Sequence, residues 1–95
     1  MTPEERKKII EQRLNEHLAP TFLKLTDESH HHIGHEGAKS GASHFALVIV
    51  SPNFSQLSAL KRHQLVYAQL QDLIPKEIHA LKIKALTPEE YNISD

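Results

Sequence analysis

His44-Phe45-Ala46-Leu47-Val48-Ile49-Val50-Ser51 is almost continuously apolar, and three successive residues in it, Val48, Ile49 and Val50, are β-branched. Branched side chains lose freedom about χ1 in a helix and pack well on a pleated surface, so the run reads as a strand. Its lack of polar alternation predicts a central strand covered on both sides. Upstream, Phe22-Leu23-Lys24-Leu25-Thr26 reads as a shorter strand with Leu23 and Leu25 on one face. Downstream, residues 78–85 alternate, which places His79, Leu81 and Ile83 on one face and Ala80, Lys82 and Lys84 on the other.

Helical periods fill the spaces between these strands. Thr2-Pro3-Glu4-Glu5 combines a capping hydroxyl, a proline suited to the first helical position and an acid placed to close a capping box. Ile10, Leu14 and Leu18 then recur every four residues until Pro20 stops the helix. Leu57, Leu60, Gln64, Tyr67, Leu70 and Ile74 step by three and four, predicting one long helix, or a short one running into a long one, that ends before Pro75. Thr87-Pro88-Glu89-Glu90 repeats the first capping solution and predicts a short final helix. The expected architecture is a single α/β domain over residues 1–95, in the order α-β-β-α-β-α, with a three-stranded sheet covered by helices.

Composition narrows the chemistry. Ninety-five residues allow one domain, and twelve acidic against eleven basic side chains leave a net charge of −1, so no bulk positive field draws the chain to nucleic acid or to anionic lipid. Without cysteine there are no disulfides, thiolate nucleophiles or thiolate ligands from this chain. Eight histidines are its soft ligands, and protonating all of them would take the formal charge from −1 to +7. No stretch approaches the roughly 20 apolar residues that span a bilayer, and the first residues lack the apolar core of a signal peptide, so a cytoplasmic protein without membrane association is expected.

Residues 27–43 form a long polar loop carrying His30, His31, His32 and His35 among Gly34, Gly37 and Gly41. Imidazoles so close together bind zinc, copper, nickel or iron to some degree, and adventitious affinity stands beside a functional site as an explanation. No Cys or His spacing of a closed structural zinc site is present. His79, on the apolar-facing side of its strand, needs a hydrogen-bond partner or a metal if buried, or lies half exposed at the strand start. His44 and His63 admit the same readings. Ser29, Ser43 and Ser51 lie near histidines, but no nucleophile elbow accompanies them and no acid/base carboxylate pair stands out, so an enzyme is not expected. Gly34-His35-Glu36-Gly37 matches the bare Gly-x-x-Gly string of nucleic-acid clamps, yet it falls between strands and its acid repels phosphate. Lys61 and Arg62, with Lys82 and Lys84, make a modest basic patch, for which ordinary charged surface is the alternative reading.

Taken together, Asp27-Glu28-Ser29-x-x-His32, Ser43-His44-Phe45, Val50-Ser51-x-x-Phe54, Lys61-Arg62-His63-x-x-Val66-Tyr67, His79-Ala80-Leu81 and Thr87-Pro88-Glu89-Glu90-Tyr91 resemble the BolA family over about residues 5–92, in the branch with a histidine loop. The resemblance implies the topology of a class II KH domain. It also implies a heterodimer with a monothiol glutaredoxin that shares a bridging 2Fe–2S cluster, in iron homeostasis and cluster trafficking. Some bacterial members are described as stress-responsive transcription regulators, which makes DNA the alternative partner.

By position, His79 and His32 would ligate one iron, with the glutaredoxin cysteine and glutathione on the other, and His35 is the alternative loop ligand. Lys61, Arg62, His63, Lys82 and Lys84 would form the partner or nucleic-acid face. The isolated chain is expected to hold no cofactor and to be a monomer or weak homodimer. Two departures stand out: the loop between His32 and His44 is a few residues longer than usual, and Gln56 occupies a position where the family often has glycine.

Overall fold

The computed structural model describes residues 1–28 and 43–94. Helix α1 (Pro3–Leu18) leads into β1 (Phe22–Asp27); β2 (Ser43–Val50) is followed by a 3₁₀ turn at Pro52–Phe54, helix α2 (Ala59–Leu70), a second 3₁₀ turn at Gln71–Leu73, β3 (Ile78–Leu86) and helix α3 (Pro88–Ser94). The sheet has the order β1-β2-β3, antiparallel between β1 and β2 and parallel between β2 and β3. The parallel pair requires a crossover, and α2 supplies it. This is the expected α/β order.

Both Thr-Pro-Glu-Glu segments close the same reciprocal cap. The Glu5 amide donates to Thr2 Oγ1 and the Thr2 amide to Glu5 Oε1, at 3.1 and 2.9 Å; at the start of α3 the Glu90 amide donates to Thr87 Oγ1 and the Thr87 amide to Glu90 Oε1, at 3.2 and 2.8 Å. Each box satisfies amides that a helix start otherwise leaves without acceptors.

Of the two expected forms, one long helix or a short one running into a long one, the structure is nearer the second, with a 3₁₀ turn at Pro52–Phe54 set apart from α2. Ser58 Oγ accepts from the Lys61 amide and caps α2, while Gln56 sits at φ 64° between the 3₁₀ turn and that cap. A left-handed residue cannot continue a right-handed helix, so the turn and α2 are separate. The position is also one that glycine fits without strain.

Among the described residues β2 is covered by helices along one face, and on the other only at its Val50 end, where α3 lies, contrary to the expectation of a strand covered on both sides along its length. Phe45, Leu47 and Ile49 are buried, whereas His44, Ala46 and Val48 are half-buried. Ile10, Leu14 and Leu18 of α1 and Val66 and Leu70 of α2 pack with Leu25, Phe45, Leu47 and Ile49 into one core. Each such side chain contributes about 2 kcal/mol of transfer free energy. Both long helices therefore lie on the same side. The opposite side is left to Lys24 and Thr26 of β1, to the outward residues of β2, and to Ala80, Lys82 and Lys84 of β3. At one end of the sheet α3 comes across, and Tyr91 stacks on Phe22 with centroids 5.2 Å apart.

Candidate functional site: a histidine pair at a strand bulge

The pairing of β2 with β3 slips by one residue at its start: Ser43 lies opposite Ile78, but His44 lies opposite Ala80. His79 is the extra residue of the resulting bulge. Simple alternation had placed it inward with Leu81 and Ile83. Instead Ile78 takes the inward position, at 1% exposure, and His79 is exposed. Its ring lies against that of His44, centroids 4.8 Å apart and planes inclined by 40°.

The bulge is clamped from behind. Arg6 of α1, itself buried, donates from Nε to Glu77 Oε2 at 2.7 Å and from Nη1 to Ser43 Oγ at 2.9 Å, and the Ser43 amide donates to the Glu77 carbonyl at 3.0 Å. The Arg6 hydrogen bond holds Glu77 below the usual carboxylate range. Ser43 directly precedes His44 and Glu77 lies two residues before His79, so one guanidinium ties down the approaches to both imidazoles.

Two serines weighed for chemistry have structural partners. Ser43 Oγ accepts from Arg6, and the buried Ser51 hydroxyl donates to the Leu18 carbonyl at 2.6 Å while accepting from the Asn53 amide. The third, Ser29, and the loop candidates His32 and His35 lie outside the described residues. Among the described residues no group of three or more His, Cys, Asp or Glu side chains is arranged to hold a metal ion. The His44–His79 pair supplies two imidazoles, a donor type suited to iron, at the end of β2 that follows the segment containing His32.

The five residues expected to form a partner or nucleic-acid face do not share one surface. Lys61 and His63 are exposed on α2, on the helix side of the sheet, whereas Lys82 and Lys84 are exposed on its other side. Arg62 is largely buried and pairs with Glu90 at 2.6 Å; it also donates to the Leu57 and Ala85 carbonyls, each at 3.0 Å. It thus joins α2, β3 and α3, and its charge is already met by a carboxylate. That ion pair, with the Thr87 cap, lowers the Glu90 carboxyl to about 2. Lys82 lies 3.3 Å from Glu28. Lys24, absent from the sequence-derived site, sits in the same row as Val48 and Lys84. The alternation of Leu23 and Leu25 carried the signal for it, since inward residues at 23 and 25 place 24 outward.

Among the described residues no helix is long and apolar enough to cross a membrane. Residues 14–90 match the family model described as BolA-like protein. The chain is 40% identical over 83 residues to the DNA-binding transcriptional regulator BolA of Haemophilus influenzae, covering 87% of this chain and 78% of that one. It is 41% identical over 86 residues to the SufE-like protein 1, chloroplastic/mitochondrial, of Arabidopsis thaliana, covering 85% of this chain but only 23% of the relative. The solved BolA domain of SufE1 from Arabidopsis thaliana superposes with a TM-score of 0.79 at 42% identity, over 90% of this chain and 94% of that one.

Proposed function

Because the chain belongs to the BolA family, we propose that it is a non-enzymatic adaptor that pairs with a monothiol glutaredoxin and contributes histidine ligands to a shared 2Fe–2S cluster, in iron homeostasis or cluster trafficking. The observation that carries this reading is the exposure of His79 at a clamped bulge, where a partner's metal can reach it. A ligand must be both accessible and oriented, and the bulge with its Arg6 clamp supplies both conditions. His79 is the first ligand of this proposal and His32 the second, with His35 as the alternative. The cluster would supply electron transfer or transferable iron and sulfide, and histidine ligation of one iron raises its potential relative to all-thiolate ligation. Glutathione and the glutaredoxin cysteine would hold the other iron.

The test is anaerobic mixing of the purified chain with a monothiol glutaredoxin, glutathione, iron and sulfide, followed by visible absorption and circular dichroism. A spectrum distinct from glutaredoxin alone, lost in His79→Ala and altered in His32→Ala, is the expected result. A spectrum identical to glutaredoxin alone in the wild type would sink the reading.

A second reading, a DNA-binding transcription regulator, is favoured by the name of the Haemophilus influenzae relative. It predicts binding to DNA that weakens steeply as salt rises.

A further inference from the structure

Among the described residues, no helix other than α3 at one end lies on the sheet face turned away from α1 and α2, and the side chains there are of two kinds. Lys24 and Lys84 flank Val48 in one row of the sheet, and Lys82 follows in the next row beside Ala46 and Thr26. With strands about 4.8 Å apart, Lys24 and Lys84 stand roughly 10 Å apart across a low floor of Val48 and Ala46. Glu28, the described acid that follows β1 in the outward alternation of Lys24 and Thr26, is engaged with Lys82. In a chain of net charge −1, the strand residues described on this face are therefore locally cationic.

Aromatic rings close both ends of the lysine lane. Phe22 and Tyr91 stack beside Val50 at one end, and His44 and His79 lie ring to ring at the other. From His44 to Val50 is about 20 Å along an extended strand. A cationic track with ring faces is the surface that single-stranded nucleic acid uses, with lysines meeting phosphates and rings offering sequence-tolerant stacking. Duplex DNA fits less well, because reading a groove needs an element that enters it, and this face is a sheet surface with small residues at its centre. An added peptide strand is disfavoured at the edge of β3, where Tyr67 Oη donates to the Leu81 carbonyl and Arg62 to the Ala85 carbonyl.

We infer that this open face binds single-stranded DNA, the strand lying across Lys24, Lys82 and Lys84 between the two ring pairs. The inference rests on the DNA-binding reading and deepens it by leaving out Lys61, Arg62 and His63 of α2, keeping Lys82 and Lys84 of β3, and adding Lys24 of β1.

Fluorescence anisotropy with the full chain, a labelled single-stranded oligonucleotide and the matching duplex tests it across a salt series. The single strand should bind more tightly than the duplex. Combined Lys24→Glu and Lys84→Glu should weaken that binding by about tenfold or more, while Lys7→Glu with Lys8→Glu on α1 makes the same charge change and should not. With alanine at both sheet lysines, the salt slope should fall by about 1.4, from the loss of two phosphate contacts. Phe22→Leu, which removes the ring and its stack on Tyr91, should weaken binding under conditions where urea unfolding shows the variant still fully folded.

Preferential duplex binding that Lys61→Glu abolishes and the sheet variants leave intact would overturn the sheet assignment while the DNA-binding reading stands. Binding of neither oligonucleotide would overturn both. Equal competition by poly-glutamate, or sheet variants that lose glutaredoxin but not the oligonucleotide, would likewise overturn it, as an unspecific polyanion effect or a protein-docking face.

Discussion

Arg6 and Ser43, 37 residues apart in the chain, meet at 2.9 Å in the buried space behind the sheet, and their contact sets where two histidines emerge on its other side. The guanidinium takes the hydroxyl with one nitrogen and the Glu77 carboxylate with another. A planar fork can hold both at once, whereas a lysine ammonium presents a single point of charge.

Arg6→Met should therefore do two things. It leaves the buried Ser43 hydroxyl without its donor, a loss of about 1–3 kcal/mol in urea unfolding. It also loosens the bulge, so the His44 and His79 ring resonances in NMR spectra should shift together. An unchanged pair of rings in a destabilised protein would show that the clamp is structural only.

His79→Ala should change stability by no more than about 0.5 kcal/mol, since the side chain is exposed and its described neighbour is one ring. Thermal unfolding of this variant is the control that lets a lost cluster spectrum be read as a lost ligand. A large fall in Tm would instead assign the imidazole a packing role.

Gln56→Gly should stabilise the fold by about 1 kcal/mol. The residue stands at φ 64°, where a Cβ crowds the carbonyl, and the relief of that strain exceeds the added freedom of glycine in the unfolded chain. Ala19→Gly, at φ 44° on the C-cap of α1, should act in the same direction. Denaturant unfolding of each variant checks the sign.

Glu90 contributes stability that depends on pH. The Arg62 hydrogen bond, then the Thr87 cap, lower its pKa from 4.5 to about 2 in the folded chain. A depressed carboxylate contributes fully above its unfolded value and loses that contribution as pH falls through the folded one. The Tm gap between the wild type and Glu90→Gln should thus be widest above about pH 5 and close as pH approaches 2. A gap that stays constant would mean that the charge is not what binds α3 to α2.

Much of the fold was legible because it depends on neighbours in sequence. The alternation of Leu23 with Leu25, the four-residue step of Ile10, Leu14 and Leu18, and the two Thr-Pro-Glu-Glu caps each involve residues two to four apart, and each appears in the structure as read. The limits of α2 were less legible, since a serine cap and a left-handed Gln56 interrupt a stretch whose apolar period runs on.

By itself the sequence determined the order of elements, the inward residues of α1 and β1, and membership of a family in which His79 is a candidate ligand. The tertiary structure alone decided that α1 and α2 cover β2 from the same side, that His79 leaves the core and meets His44, that Arg62 is held by Glu90, and that Lys24 joins Lys82 and Lys84 on the opposite face. The physical reason is range. A period of 2.0 or 3.6 records which way a side chain points within its own element, but a one-residue slip between strands reverses that direction. The slip at Ser43 is held by hydrogen bonds spanning 37 and 71 residues, which no local pattern carries.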